Sequence, residues 1–252
     1  MLKDEISKLN DGFRNESAEN ILGYFISRHA SVGNVFGTDD RIALASSLGA
    51  EDQVLTDMIM RIRPGMRIFV LDTGRLPEET YELMTETMAR YGMRYEVYYP
   101  DARDVEELVS RHGPDLFYES VALRKLCCTV RKVRPLCRAL AGLDAWITGL
   151  RRDQSVTRNS IEKAAWDDEH VSIKVNPLAD WTEEMVWDYI RKNNVPYNKL
   201  HDSGYPSIGC KPCTRAIKPG EDLRAGRWWW ETPEQKECGL HVIDGKIVRK
   251  NG

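Results

Sequence analysis

The chain has 252 residues, is 42% hydrophobic and carries a formal net charge of −3. That length suits one large domain, or one with a smaller appendage, able to bury a core without covalent staples. The mildly acidic balance excludes a global pull toward nucleic acid or a membrane surface, and no apolar run reaches the roughly 18 residues of a membrane span. Met1-Leu2-Lys3-Asp4-Glu5 lacks the apolar stretch of a secretory signal, so a cytoplasmic protein is expected. Disulfides rarely persist there, and the six cysteines need another role.

In chain order, Ile21, Leu22, Phe25 and Ile26 form a helical stripe over Ala18 to His29. Arg41 to Ser47 is an apolar run ending in small polar residues. A helix follows from Glu51 and Asp52 through Val54, Leu55, Met58 and Ile59, closed by Pro64-Gly65. The unit repeats: Met66 to Leu71 is a strand, Pro77 to Arg90 a helix ending at Gly92, and Met93 to Tyr99 a third strand. This rhythm predicts an α/β fold with a mostly parallel sheet flanked by helices.

Further on, Val105 to His112 and Cys127 to Ala141 read as helices, Asp144 to Leu150 and Val171 to Val175 as strands, and Trp181 to Asn193 as a helix. Arg151 to Ser160 is polar and reads as a loop. From Pro196 onward prolines and glycines break any long element. The division expected is a core over 1–194 and a C-terminal segment over 195–252 that carries chemistry on loops.

Cys127 and Cys128 are adjacent, and Cys210-Lys211-Pro212-Cys213 lies far downstream. A Cys-x-x-Cys turn presents two thiolates to one metal centre. The spacing leaves an iron–sulfur cluster, a zinc ion and a redox dithiol all open. Cys137 shares a helical stripe with Val133, Leu136 and Leu140 and reads as a core residue. Arg124, Lys125, Arg131, Lys132, Arg134 and Arg138 make a local positive field around the first cysteine pair. Such a field compensates a negatively charged tetra-thiolate centre and attracts an anionic substrate.

Ser46-Ser47-Leu48-Gly49-Ala50-Glu51-Asp52 joins a strand to a helix, where small residues let backbone N–H groups approach an anion. Asp72-Thr73-Gly74 follows the second strand, so both loops share the sheet edge that ligands favour. Arg151-Arg152 with Arg158, and Arg224 with Arg227, supply guanidinium forks suited to oxyanions. Trp228, Trp229 and Trp230 then either stack on a base or cover the core. Cys238 stands apart beside Gly239, with Lys236 and His241 near enough in sequence to favour thiolate.

With these motifs together, the chain resembles the assimilatory adenylyl-sulfate reductases, the iron–sulfur branch of the adenylyl- and phosphoadenylyl-sulfate reductase family. The resemblance rests on Cys127-Cys128 with Arg131-Lys132, Gly209-Cys210 with Cys213, Arg224 with Gly226-Arg227-Trp228-Trp229-Trp230-Glu231, and Glu237-Cys238-Gly239-Leu240-His241. The Ser46-to-Asp52 loop, Leu71 to Gly74 and Thr148 to Ser155 also fit, so it extends from about residue 18 to His241.

The resemblance implies an adenine-nucleotide α-hydrolase-like fold with adenylyl sulfate at the strand ends. Ser46, Ser47, Gly49, Glu51 and Asp52 match the phosphate-loop region. Lys132, Arg158, Arg224 and Arg227 match contacts to the phosphate–sulfate part, and Arg151 and His241 join the substrate-binding set. Cys127, Cys128, Cys210 and Cys213 match the ligands of a [4Fe–4S] cluster, and branches acting on phosphoadenylyl sulfate lack these pairs. Cys238 becomes the nucleophile, forming an S-sulfocysteine that thioredoxin or a similar dithiol protein resolves to sulfite, in assimilatory sulfate reduction. A homo-oligomer is expected.

Two other readings stay open from residues alone. An ATP-using sulfur-transfer enzyme for tRNA would carry a Ser-Gly-Gly-x-Asp-Ser loop and a broadly basic surface. A structural zinc module would be colourless.

Overall fold

The structure, a computed structural model, describes residues 2–31, 39–154 and 158–232. Its centre is a six-stranded sheet built from β1 (Ile42–Ser46), β2 (Ile68–Leu71), β3 (Glu96–Tyr98), β4 (Ala145–Ile147), β5 (Ala164–Asp167) and β6 (Ser172–Val175), ordered β3-β2-β1-β4-β6-β5. All neighbours are parallel except β5, which runs antiparallel along β6. The chain builds outward from β1 to β3, then restarts on the other side of β1 with β4. A crevice therefore opens beyond the carboxyl ends of β1 and β4, the ligand-binding position of open α/β sheets.

Helices cover both faces. On one side Ile42, Leu44, Ile68, Val70, Ala145 and Ile147 pack among residues of α1 (Leu2–Phe13), α2 (Ala18–His29), α3 (Ala50–Ile62), α4 (Glu78–Tyr91) and α8 (Glu183–Asn193). On the other, the alternate residues Ala43, Phe69 and Trp146 pack on α7 (Arg134–Leu140) through Leu136, Ala139 and Leu140. Burial on both faces explains why these strands read as continuous apolar runs. No helix among the described residues is long and apolar enough to cross a membrane.

Most predicted elements lie where the periodicity puts them, and α4 ends on Gly92 at φ 61°, a left-handed cap that glycine adopts without strain. Helix α5 (Ala102–His112) also begins within a turn of its expected start. The predicted helix over Cys127 to Ala141 is corrected. Helix α6 (Val121–Cys128) starts at its Ser120 cap and ends on the cysteine pair, and a π turn over Thr129–Val133 leads into α7. Pro135 supplies the reason: it has no N–H for the helical ladder, so a wider turn absorbs the missing bond.

Two elements lie outside the sequence reading, α1 and β5, and they depend on each other. Asn10 on α1 donates to the Ala164 carbonyl at 2.8 Å and accepts from its N–H at 2.9 Å. Lys163 donates to the Phe13 carbonyl at the end of α1. The helix thus closes an edge strand that would otherwise offer free backbone groups.

Candidate active site

The loop after β1 is held in a shape its residues would not choose alone. Leu48 is buried at φ 61°, in the left-handed region that disfavours a branched side chain. Ser46 Oγ accepts from its N–H at 3.1 Å. Gly49 caps α3, and the Asp52 carboxylate accepts from Ser47 N at 2.7 Å and Ser47 Oγ at 2.6 Å. Burial pushes the Asp52 carboxyl up to about 6, against the lowering effect of the Ser47 hydrogen bonds and with Glu51 adding to the rise.

A raised folded-state pKa favours the protonated fold, so this contribution is full below the ordinary aspartate range. It is lost as pH climbs through about 6. The effect is on the order of 3 kcal/mol at 1.36 kcal/mol per unit. Asp52→Asn has no such titration. Wild type should therefore gain stability relative to the variant as pH falls from 7 to 4 in ligand-free denaturant melts; a pH-independent difference would contradict this origin.

Strand β4 delivers the opposite wall. A Cβ on Gly149 would stand 2.4 Å from Asp52 Oδ1, so only glycine allows this approach. Glu51 accepts from Arg151 Nε and from Gln154 Nε2, both at 2.9 Å. Arg151 also donates to the Trp181 carbonyl at 3.1 Å. Arg151 and Glu51 thus join the two loops to each other as well as facing the crevice.

Between these walls lies a cavity of about 260 Å³. Ser46, Ser47 and Gly49 line it from the end of β1 and the loop after it, Glu51 and Asp52 from the first turn of α3, Arg151 and Arg158 from the β4 loop, Lys132 from the π turn, and Arg224 and Arg227 from the C-terminal segment. Every described residue expected to hold substrate therefore faces one space. Arg227 lies over Gly209, where a Cβ would come within 2.4 Å of its guanidinium, and donates to the Ile208 carbonyl at 3.2 Å. Cys238 and His241 fall outside the described residues, and no placement is given to them.

A second, smaller cavity adjoins the first and is lined by Cys127, Cys128, Cys210 and Cys213, all buried and none in a disulfide. Arg75, Arg124, Arg131, Lys132 and Arg227 line it too. Thr73 Oγ1 is 3.2 Å from Cys210 Sγ. Burial pushes the Cys210 thiol up, yet Lys132, the Thr73 hydrogen bond, Arg227 and Arg131 together bring it below its ordinary value. Burial, reinforced by Cys210, raises the Cys213 thiol to about 12. Among the described residues no group of three or more His, Cys, Asp or Glu side chains is set to hold a metal ion. The donor chemistry, four thiols on one cavity amid five cationic side chains, does fit a thiolate-ligated cluster whose negative charge needs compensation.

Several of these residues went unassigned in the sequence reading. Arg124 is wholly buried, donating to Glu231 Oε1 at 2.8 Å and Oε2 at 2.7 Å and lying 4.6 Å over the Trp228 ring. It is a structural cation under the cysteines, where the sequence reading made it part of a general positive field. Its position four residues before Cys128 is the signal that could have placed it there. Thr73 and Arg75 reach the cysteines from the β2 loop. Of the three tryptophans, Trp228 is core, Trp230 packs edge-on to Tyr118, and Trp229 is 39% exposed. Cys137, expected in the core, is exposed instead, because α7 turns its Leu136–Ala139–Leu140 face to the sheet.

The comparisons agree with this geometry. Residues 41–216 match the family model of the phosphoadenosine phosphosulfate reductase domain. An adenosine 5′-phosphosulfate reductase of Allochromatium vinosum is 59% identical over 80% of this chain and 79% of its own length. One from Burkholderia cepacia is 53% identical over 81% of each. Among solved structures, a phosphoadenylyl-sulfate reductase of Candida auris in complex with phosphate superposes with a TM-score of 0.70 at 27% identity, covering 85% of this chain and 97% of that one. With its family model spanning the whole sheet and most of the lining of both cavities, the chain belongs to the phosphoadenosine phosphosulfate reductase family of enzymes.

Proposed function

We propose that this enzyme reduces adenylyl sulfate to sulfite and AMP at the expense of a dithiol, with Cys238 as its nucleophile. The observation that carries the reading is the shared wall of the two cavities. Lys132, Arg227 and Trp228 line both the crevice at the strand ends and the cysteine-lined space behind it. Cations so placed suit a doubly anionic phosphate–sulfate group and the charge released when it breaks.

Adenylyl sulfate is a mixed anhydride. The Cys238 thiolate attacks its sulfur, the bond from sulfur to the bridging oxygen breaks, and AMP leaves with that electron pair. Lys132, Arg158, Arg224 and Arg227 hold the phosphate and sulfonyl oxygens and neutralise the leaving phosphate. The product is S-sulfocysteine. A thiolate of the partner dithiol, of the thioredoxin kind, attacks Cys238 Sγ and expels sulfite as a two-electron leaving group. The partner's second thiol then closes its own disulfide and returns Cys238 as a thiol.

Cys127, Cys128, Cys210 and Cys213 would hold a [4Fe–4S] cluster, which when bound supplies a fixed charge that tunes the field around Lys132. The chain's own residues bind, orient and neutralise. Equal iron and sulfide content with broad absorption near 400 nm supports it, and a colourless zinc protein would contradict it.

The paired cysteines favour adenylyl sulfate over its 3′-phosphorylated form. Steady-state comparison of the two compounds under identical dithiol should give a far larger kcat/KM for adenylyl sulfate. Equal values would overturn the substrate assignment.

A further inference from the structure

The exposed Cys137 has neighbours that a stray surface thiol lacks. Its Sγ lies 3.9 Å from His170 Nε2, across the gap between α7 and the β5–β6 turn. On the far side of the ring, His170 Nδ1 is 2.8 Å from Asp167 Oδ2. The other oxygen of Asp167 accepts from the N–H groups of Glu169 at 3.1 Å and His170 at 3.2 Å. That carboxylate is therefore fixed by the backbone of its own turn. Because an ionised carboxylate only accepts, the proton between the two side chains sits on Nδ1, which leaves Nε2 with its lone pair toward the sulfur.

The imidazole has little freedom to leave this position. Its side chain is 9% exposed and its ring stands edge-on to Trp146, with centroids 6.1 Å apart. Nucleophile, base and orienting carboxylate thus stand in line, the first on α7 and the other two on the β5–β6 turn, the arrangement that activates a thiol by removing its proton as it attacks. Partial burial, with Glu169 and Asp167 nearby, pushes the resting Cys137 thiol above its ordinary value. The same carboxylates stabilise the imidazolium formed when the proton moves. The group is built for base-assisted attack and not for a standing thiolate.

We propose that Cys137, with His170 as its base and Asp167 as the residue that orients it, is a second reactive thiol of this protein, a site of exchange with low-molecular-weight disulfides. Glu169 stands on the turn opposite and acts on the thiol, so an ammonium group of the disulfide finds a carboxylate beside it.

In the exchange, His170 Nε2 takes the Cys137 proton while Sγ bonds to one sulfur of the disulfide. The disulfide bond breaks, and the departing thiolate takes the proton back from the imidazolium. Cys137 is oxidised to a mixed disulfide and one half of the reagent is reduced to a thiol. The exchange does not depend on the function proposed above.

Full-length protein is incubated with glutathione disulfide at neutral pH, quenched in acid, and the adduct on the Cys137 peptide is followed by mass spectrometry. Wild type should form it, His170→Gln should form it on the order of 100-fold more slowly, and Cys137→Ser not at all. Asp167→Asn, which keeps an acceptor for the turn, should also slow it. An unfolded variant would expose the thiol and react no more slowly, so lost reactivity reports the relay itself. No adduct in wild type, or equal rates in the His170 and Asp167 variants, would overturn the proposal.

Discussion

Cys238→Ser should abolish sulfite release, with kcat reduced by on the order of 10⁴-fold or more, as for loss of a covalent nucleophile elsewhere. Serine at this position keeps the size of the side chain but offers an alcohol, which is not ionised near neutrality and attacks the anhydride sulfur far more slowly. Affinity for adenylyl sulfate should be nearly unchanged, because the groups assigned to its oxygens are Lys132, Arg158, Arg224 and Arg227 in the crevice. Equilibrium binding to the variant, alongside its turnover, separates the two roles. A variant that turns over normally would remove Cys238 from the chemistry, and one that no longer binds would make it part of the pocket.

Glu231→Ala should cause the largest loss of stability. It strips the bidentate carboxylate partner from a guanidinium that is wholly buried under Trp228 and the cysteines. An unpaired buried charge costs about 3–5 kcal/mol, where removing both members of a pair costs far less. For a domain of this size that is a drop in Tm on the order of 10 °C. Arg124→Met with Glu231→Leu should recover most of it. Calorimetry of the single and double variants gives the coupling directly, and additive losses would show that the two side chains act independently.

How much of this was legible beforehand depends on the range of the forces involved. β1 to β4 and α2 to α4 could be read because both faces of the sheet are buried and each helix has one apolar stripe. α1 and β5 could not, because each is completed by the other through Asn10, and no local pattern records a partner more than a hundred residues away. The break at Thr129–Val133 has a local cause in Pro135, but its form as a π turn does not follow from the residue alone.

The site divides in the same way. Residue types and spacing marked Ser46 to Asp52, the two cysteine pairs and the arginines, and the fold gathers the described ones around adjoining cavities. Pairings between them were hidden. That Glu51 engages Arg151, and that Arg124 is a buried strut to Glu231, follows only from their meeting in space. Cys137 shows the limit most clearly. Its neighbours in sequence placed it on an apolar stripe, whereas the angle at which α7 meets the sheet turns it outward toward His170.

The most direct test of the central claim is a single turnover without reductant. Protein is incubated anaerobically with adenylyl sulfate labelled in the sulfate sulfur, and the digested chain is mapped. The account predicts close to one label per chain on the Cys238 peptide, AMP released in equal amount, and label discharged as sulfite when a dithiol protein is added. Release of labelled sulfite only when dithiol is present from the start, with no label ever held on Cys238, would contradict it.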